Sequence, residues 1–582
     1  MKALLQRFIH SAAIAAIPVV TLCYFATLSI YSGNATEFTV SFSDVSIHFL
    51  PYALGVVVAL GLLGLLMTKE GLSRYKAIMC AFAILFWLQG NILVWDYGIL
   101  DGRDIEWMAD AWRGIFDLAI WCAVLLVAIC TFQRFGKILL LSAVATMVIQ
   151  FVAAGATLLG NPDMLMARDI ASNTEGKDAI SRFSATNNIV HIVMDGFQSD
   201  IFAAIIADTS ERNFKADLRG FTYFDEHLGV YPYTHLTVPA MLSGKLFHNN
   251  VPVEEFIRDT MRDETIINAS LAAGYEVDIA ASVGLKNMYT KGSYSNAYGI
   301  SSNGHVDIAD YVRVDAAKLI DLALFRSVPH FAKALVYRDE LWVFQALVHG
   351  ESYLSMQYFS DLAFLSDLAE NMSADRDVPV YKMIHVMLSH RPFVGNARCE
   401  FDGRKPTERK YVQTHARCGL VRVLNVLQRM KDLGIYDSSL IVLMADHGAW
   451  VPVEDFATSD VVNATTVAMA TPMLAIKPPN ANYEFRTSSV LSSIVDVPAT
   501  IADIAGLGGQ FGGTPVYSIA VDAPRQRHHL VYGYGINPDA EGFLFPMQEY
   551  LINGSAYDVE AWRKGRRYLP GTTLDSNANI GR

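Results

Sequence analysis

Basic residues are nowhere gathered in this chain. Its 582 residues carry 46 Lys and Arg against 58 Asp and Glu, a formal net charge of −12, and the absence of a basic cluster argues against nucleic acid as a partner. Cysteine is scarce, six in all. Cys23, Cys80, Cys122 and Cys130 fall in long apolar segments, where they act as small apolar residues. Cys399 and Cys418 stand apart from them with no second pair nearby, which argues against a thiolate metal site. Internal repeats and low-complexity segments are absent too.

What is abundant is hydrocarbon. A mean hydropathy of +0.26 is too high for an ordinary soluble enzyme, so an apolar block must exist. It occupies residues 1–160, where Phe8–Tyr31, Ile47–Met67, Ala77–Val94, Gly114–Phe132 and Ile138–Leu159 each approach the roughly 20 residues a helix needs to cross the hydrocarbon core. Five transmembrane helices are expected. Lys2 and Arg7 precede the first as they would in a signal peptide, but its run exceeds the usual h-region and four more spans follow, so it reads as retained. Lys2, Arg7, Lys69, Arg74, Lys76, Arg134 and Lys137 fall on one side of these spans, against Arg103 and Arg113 on the other. The positive-inside rule then puts the N-terminus in the cytoplasm and everything after Leu159 outside. Asp117, within the fourth span, is expected to be wetted at the interface, a functional role being the alternative. In an oxidising compartment, Cys399 and Cys418 are expected to form one disulfide, with two free thiols as the alternative.

Residues 161–186 are polar and read as a linker. From 187 to 582, short β-branched runs alternate with helical patterns: "NIVHIVM", "YEVDIAAS", "VYKMIHVML", "SLIVLMA" and "TPMLAIK" predict buried strands, while "VQTHARCGLVRVLNVLQRMKDLG" and "SSIVDVPATIADIAGL" predict helices. This alternation implies an α/β domain with a largely parallel central sheet. Ligands of such sheets gather beyond the carboxyl ends of the strands. Three predicted strands end in polar residues: one at Asp195, one running into "SHRPF" with His390, and one in "ADHG" with Asp446 and His447.

Asp446 and His447 offer a hard oxygen and an imidazole nitrogen side by side, and Gly448 lets the backbone turn. Each piece alone has a plainer reading, a structural turn for the DHG triplet and a turn or helix-cap role for Asp195. Together they point to one divalent cation. In "VYPYTHLTVPAMLSGK", Thr234 and Thr237 precede Pro239, which suits a first helical turn. Thr234 would then face an anionic phosphate from a helix N-terminus, and coordination to the cation would activate its hydroxyl as a nucleophile. Simple helix capping is the alternative for both threonines.

These motifs resemble the alkaline phosphatase and sulfatase superfamily. The closest branch is similar to the bacterial inner-membrane phosphoethanolamine and phosphoglycerol transferases, a group that includes the lipoteichoic acid synthases. Those proteins join five membrane helices to an extracytoplasmic catalytic domain. In sequence the resemblance is best at "IVMDGFQSD", "THLTVPAMLSG", "HRPF", "GIYDSSLIVLMADHG" and "SSIVDVPATIADIAGL". It implies Asp195, Thr234, Asp446 and His447 as metal ligands, Thr234 as nucleophile and His390 as the substrate-facing histidine. His385, five residues before His390, is expected on the opposite side of its strand if that strand is regular, in the core or behind the ligands, and Thr237 is expected behind the ligands. Asp195 departs from the Glu usual in the transferases. "THLTV" lacks the C/S-x-P-x-R motif of sulfatases, and only one disulfide is possible where the lipid A enzymes have several.

The expected architecture is thus a five-helix membrane domain (1–160), a linker (161–186) and a periplasmic sulfatase-like catalytic domain (187–582) on a bacterial inner membrane. The expected activity is transfer of phosphoethanolamine or phosphoglycerol from a phospholipid donor to an envelope glycan or glycolipid acceptor, through phosphothreonine and with one zinc or manganese ion. A phosphodiesterase or sulfatase-like hydrolase using the same residues is the other reading.

Overall fold

The computed structural model describes residues 2–572 apart from 36, 37, 39, 98, 99, 101–104, 106, 109, 167–171, 211, 301–307, 339, 340, 350–355, 534, 536, 538 and 539. Arg103 and part of the 161–186 segment therefore lie outside the described residues. The chain forms two compact units, one of Met1–Ile170 with His305–Leu354 and one of Ala171–Gly304 with Ser355–Arg582.

Among the described residues, the first unit has four helices long and apolar enough to cross a membrane: α1 Lys2–Gly33, α2 Phe42–Leu66, α3 Lys69–Asn91 and α4 Ala111–Gly160. The last is broken at Phe135, whose φ of −120° and ψ of 15° are not helical. Before the break, Asp117 and Trp121 reach Gln89 near the end of α3, and Ala128 packs with Ala77 and Ala81 near its start. Past the break Ala143 packs with Cys80 and Ala83, and Thr157 lines a small cavity together with Trp87 and Asn91. The chain descends α3 and climbs it again, so four continuous helices make five apolar passes. Arg7 donates to the carbonyls of Gly64 and Met67, which brings this N-terminal cation to the turn that carries Lys69.

Two expectations are corrected here. Residues 305–354 are not part of the catalytic unit: the Ile308–Ser327 helix lays Ala316, Leu319, Ile320 and Ala323 among Leu28, Tyr31, Phe42 and Val45 of the first unit, because its apolar face finds its complement there. Asp117 is not wetted but fully buried. It accepts from Gln89 Nε2 at 3.1 Å, Trp95 Nε1 at 3.0 Å and the His330 amide at 2.9 Å. Three donors offset the several kcal/mol that burying a bare carboxylate would cost.

The second unit is built on an eight-stranded sheet. Its strands are β1 Asn188–Met194, β2 Thr222–Phe224, β3 Glu276–Ser282, β4 Asn296–Ile300, β5 Val380–Val386, β6 Leu440–Met444, β7 Leu474–Lys477 and β8 Arg486–Ser488. They lie in the order β8-β2-β7-β6-β1-β5-β3-β4, all parallel to their neighbours except β7, which runs antiparallel to both β6 and β2. A three-stranded antiparallel sheet, β9 Gln526–Val531, β10 Met547–Asn553 and β11 Trp562–Tyr568, follows.

Every residue of β1 is buried. Ile189 and Val193 share a core with Leu236, Met241, Ile257 and Val497 from three helices. Val190, Ile192 and Met194, on the opposite face by the two-residue period, are buried as well, so the strand is covered on both sides as parallel sheets require. Each such aliphatic side chain stabilises the fold by about 1.5–3 kcal/mol. The expected linker is also partly structured in this unit: helix Ser172–Ser181 leads to strand Arg182–Ser184, which pairs with Ser373–Arg376, and Ile180 and Phe183 are buried anchors.

Candidate active site

Strands β1 and β6 are parallel neighbours in register, with Val193 beside Met444. Their carboxyl ends therefore deliver Asp195 and the Asp446–His447 pair to one place. One ligand atom from each of these three residues lies within 4.8 Å of the others, and all three are buried. Gly196 turns the chain immediately after Asp195 with a φ of +70°, a conformation L side chains rarely adopt. The turn aims its N–H at Asp446 Oδ1, 3.2 Å away. Gly448 is needed for a different reason: a Cβ there would stand 1.9 Å from the Ala468 carbonyl oxygen.

Thr234 comes from elsewhere in the sequence. It opens the Thr234–Ser243 helix, whose first turn is entered from extended backbone at Tyr233. Its Oγ1 donates to Asp195 Oδ2 at 3.4 Å and lies 3.3 Å from His447 Nε2. Unlike Asp195, Asp446 and His447, Thr234 is only partly buried, so the approach to the cluster runs past its hydroxyl.

The hydrogen bonding within the cluster is incomplete in an informative way. His447 Nδ1 faces the Gly448 carbonyl at 2.9 Å, and since a carbonyl only accepts, a neutral His447 carries its proton there. Nε2 is then a lone pair, and it points at Asp195 Oδ1 (3.6 Å) and Asp446 Oδ2 (3.5 Å). Those two carboxylate oxygens are buried and receive no hydrogen bond. Two carboxylates and an imidazole lone pair facing one another without a proton are costly unless a cation sits among them. The donor set, three oxygens with Thr234 and one nitrogen, suits a divalent ion.

His385 belongs to this assembly through the side of Asp195. Its Nε2 is 3.3 Å from Asp195 Oδ2, a charge contact without the alignment of a good hydrogen bond, and its Nδ1 meets the Tyr289 hydroxyl at 2.7 Å. Burial lowers the His385 imidazole, but contact with Asp195 and the charges of Asp446 and Asp361 more than offset it, and the group is raised overall. Burial raises the Asp195 carboxyl, yet His390, His385 and His447 outweigh it and hold the group below the usual carboxylate range.

His390 is partly buried, with Nδ1 on the Arg391 carbonyl at 2.7 Å. The Trp450 ring stands 5.9 Å from His390 and 5.2 Å from His447, with the Arg391 guanidinium 4.3 Å over it. The structure thus joins Asp195, Thr234, Asp446 and His447 in one cluster, with His385 behind it and His390 beside it. Thr237 is not among them: its hydroxyl donates to the Tyr233 carbonyl at 2.9 Å, inside its own helix. Cys399 and Cys418 form a disulfide. Tyr289 and Trp450 were missed in the sequence. Trp450 sits three residues past His447, a weak signal, while nothing in the sequence pairs Tyr289 with His385.

The Sulfatase family model matches residues 187–507, more than half of the chain. The chain belongs to the sulfatase family. Accordingly it is an enzyme acting on phosphate or sulfate groups, and the Asp/His cluster is a candidate metal site. A search of curated proteins returns no match. Among solved structures, the lipoteichoic acid synthase LtaP from Listeria monocytogenes is 10% identical over 66% of this chain and 87% of its own, with a TM-score of 0.39. The C-terminal periplasmic domain of EcEptC from Escherichia coli is 11% identical over 60% and 91%, with a TM-score of 0.35. The phosphonate monoester hydrolase SpPMH from Silicibacter pomeroyi is 14% identical over 64% and 87%, with a TM-score of 0.38.

Proposed function

We propose that this sulfatase-family enzyme is a membrane-anchored transferase that moves phosphoethanolamine or phosphoglycerol from a phospholipid to an envelope glycan or glycolipid. The observation that carries the reading is Thr234: a hydroxyl within 3.4 Å of Asp195 and 3.3 Å of His447, reachable from solvent, on a chain with its own apolar passes. Threonine cannot be converted to the formylglycine that sulfate hydrolysis uses in this family, whereas it can form a phosphoester.

Asp195, Asp446, His447 and Thr234 would hold one zinc or manganese ion. When bound, the ion supplies a lowered pKa for the Thr234 hydroxyl and neutralises charge on the phosphate. In the first half-reaction Thr234 Oγ1, its proton released, attacks phosphorus. The phosphorus–oxygen bond to diacylglycerol breaks, and His390 protonates the departing oxygen. The free N–H groups of the first turn after Thr234 and the helix dipole favour the phosphate charge. In the second half-reaction an acceptor hydroxyl attacks the phosphothreonine, and Thr234 leaves and regains a proton.

The loop cations support an orientation with the second unit in the periplasm of a bacterial inner membrane, where donor and acceptor lie. Intact-mass measurement after incubation with phosphatidylethanolamine or phosphatidylglycerol tests the reading. A gain equal to one head-group phosphoryl on Thr234 is expected, with diacylglycerol released. Sustained release of the head group to water with no effect of any glycan would replace transfer by hydrolysis.

A further inference from the structure

Along α2, His48, Tyr52, Val56 and Leu60 recur every four residues and share one face of the helix. They form one wall of a cavity of about 490 Å³, faced by Ala317 and Ile320 of the Ile308–Ser327 helix and floored by Leu22 of α1 and Phe82 of α3. That volume falls within the roughly 300–1,000 Å³ of small-molecule sites. The lining is hydrocarbon almost throughout, and its one formally charged side chain is Arg313. Arg313 and His48 are close enough for their charges to interact, so the polar end of the cavity is at the first turns of α2 and the lining turns to hydrocarbon towards Leu60.

The dimensions identify an occupant. His48 and Leu60 are twelve residues apart on one helix, about 18 Å at 1.5 Å per residue, and one leaflet of a hydrocarbon core of about 30 Å is about 15 Å deep. The cavity is as long as one acyl chain in a leaflet, and it carries a guanidinium at the end where a head group lies. Guanidinium is the side-chain group that best matches a phosphate, since its planar fork donates two parallel hydrogen bonds. Side chains from three apolar helices and the inserted helix line this half-open groove, which a plain lipid-facing helix surface does not offer.

We infer that this cavity is a binding site for one membrane phospholipid, with an acyl chain along the α2 face and the phosphodiester at Arg313. The site needs no chemistry at Thr234 and stands whether or not the transfer reading holds. The His305–Leu354 insertion then has a function of its own: it supplies both Arg313 and the Ala317–Ile320 wall, and so converts an open helix face into a lipid site.

The test uses the full-length Thr234→Ala chain in detergent, so that no lipid is consumed, delipidated and then mixed with either dipalmitoylphosphatidylglycerol or dipalmitoylphosphatidylethanolamine. Native mass spectrometry should show one lipid held per chain. Arg313→Gln, at an exposed position, and Val56→Trp, which fills the groove from its half-exposed wall, should each weaken binding tenfold or more with the thermal midpoint unchanged. Equal binding of the two lipids would show that the phosphodiester is what Arg313 reads, and preference for phosphatidylglycerol that net negative charge adds to it. Binding of neither lipid, or Arg313→Gln binding as tightly as its parent, would overturn the site.

Discussion

His385 Nε2 lies 3.3 Å from Asp195 Oδ2, and the Tyr289 hydroxyl holds the other ring nitrogen at 2.7 Å. The Tyr289 contact positions the ring, which stands as a charge partner on the Oδ2 side of Asp195 while Oδ1 faces Asp446 and His447. Partners of this kind typically contribute 10–100-fold in metal affinity. His385→Gln is expected to weaken zinc or manganese binding by about that factor, and Tyr289→Phe by less, read by competition with a chromogenic chelator. Unaltered affinity in both variants would mean that the packing around Asp195 orients it unaided. Dialysis against a chelator should abolish turnover, and adding back the ion should restore it.

Thr234→Ala removes the attacking oxygen while leaving Asp195, Asp446 and His447 in place. Turnover should fall by several orders of magnitude while the fold and most metal affinity remain. His390→Ala should cost about 10²–10⁴-fold, the usual size of positioned acid–base help. The informative comparison is diacylglycerol release from a labelled phospholipid without acceptor: Thr234→Ala should release none, and full release from it would eliminate the covalent mechanism.

How much of this could be read from the sequence depends on which interactions are local. The runs at 188–194, 380–386 and 440–444 are mostly apolar and free of turn residues because parallel strands are buried on both faces, so they and the polar residues that end them stand out. Asp195, Asp446 and His447 were visible as strand ends. The antiparallel sense of β7 was not, since a buried four-residue run, Leu474–Lys477, reads the same in either direction. The Ile308–Ser327 helix falls inside the 187–582 segment read as α/β, and Asp310, Arg313, Asp315, Lys318 and Asp321 give it the charge density of an ordinary surface helix. Only its partners, Leu28 and Tyr31 among them, reveal where its apolar face goes. Asp117 was misjudged for the same reason: its donor His330 is 213 residues away.

The Cys399–Cys418 bridge ties the loop after β5 to the Arg409–Asp432 helix. Closing a loop of 19 residues removes denatured-state entropy worth about 3 kcal/mol. Alkylation of the folded protein without reductant should label neither cysteine. The double Cys399→Ser, Cys418→Ser variant should fold and lose stability of that order in denaturant titration. Stoichiometric labelling of both in natively extracted protein would show that the unit relies on packing alone.

Acid should destabilise the second unit through its buried neutral histidines. His415 is stacked on Tyr358 with ring centroids 4.0 Å apart, and its Nε2 accepts the amides of Val394 and Gly395 at 2.8 and 2.6 Å. Protonation of Nε2 would forfeit both bonds and bury a charge, and burial pushes this imidazole down to about 3. Burial likewise lowers His227 to about 3 and His529 to about 4. In the unfolded chain these groups titrate near 6.5. Between about pH 6.5 and pH 4 the unfolded state binds protons that the folded state refuses, so unfolding free energy rises with pH, by up to about 1.4 kcal/mol per pH unit for each site. Stability contributed by these groups is therefore complete above about pH 7.5 and falls as pH drops through 6.5. Thermal midpoints recorded from pH 8 to pH 5 should decline below pH 6.5, and His415→Gln, whose amide oxygen can accept from the same N–H groups without titrating, should start lower at pH 8 and decline less steeply. A parallel decline in the two proteins would show that His415 takes no part in the acid sensitivity.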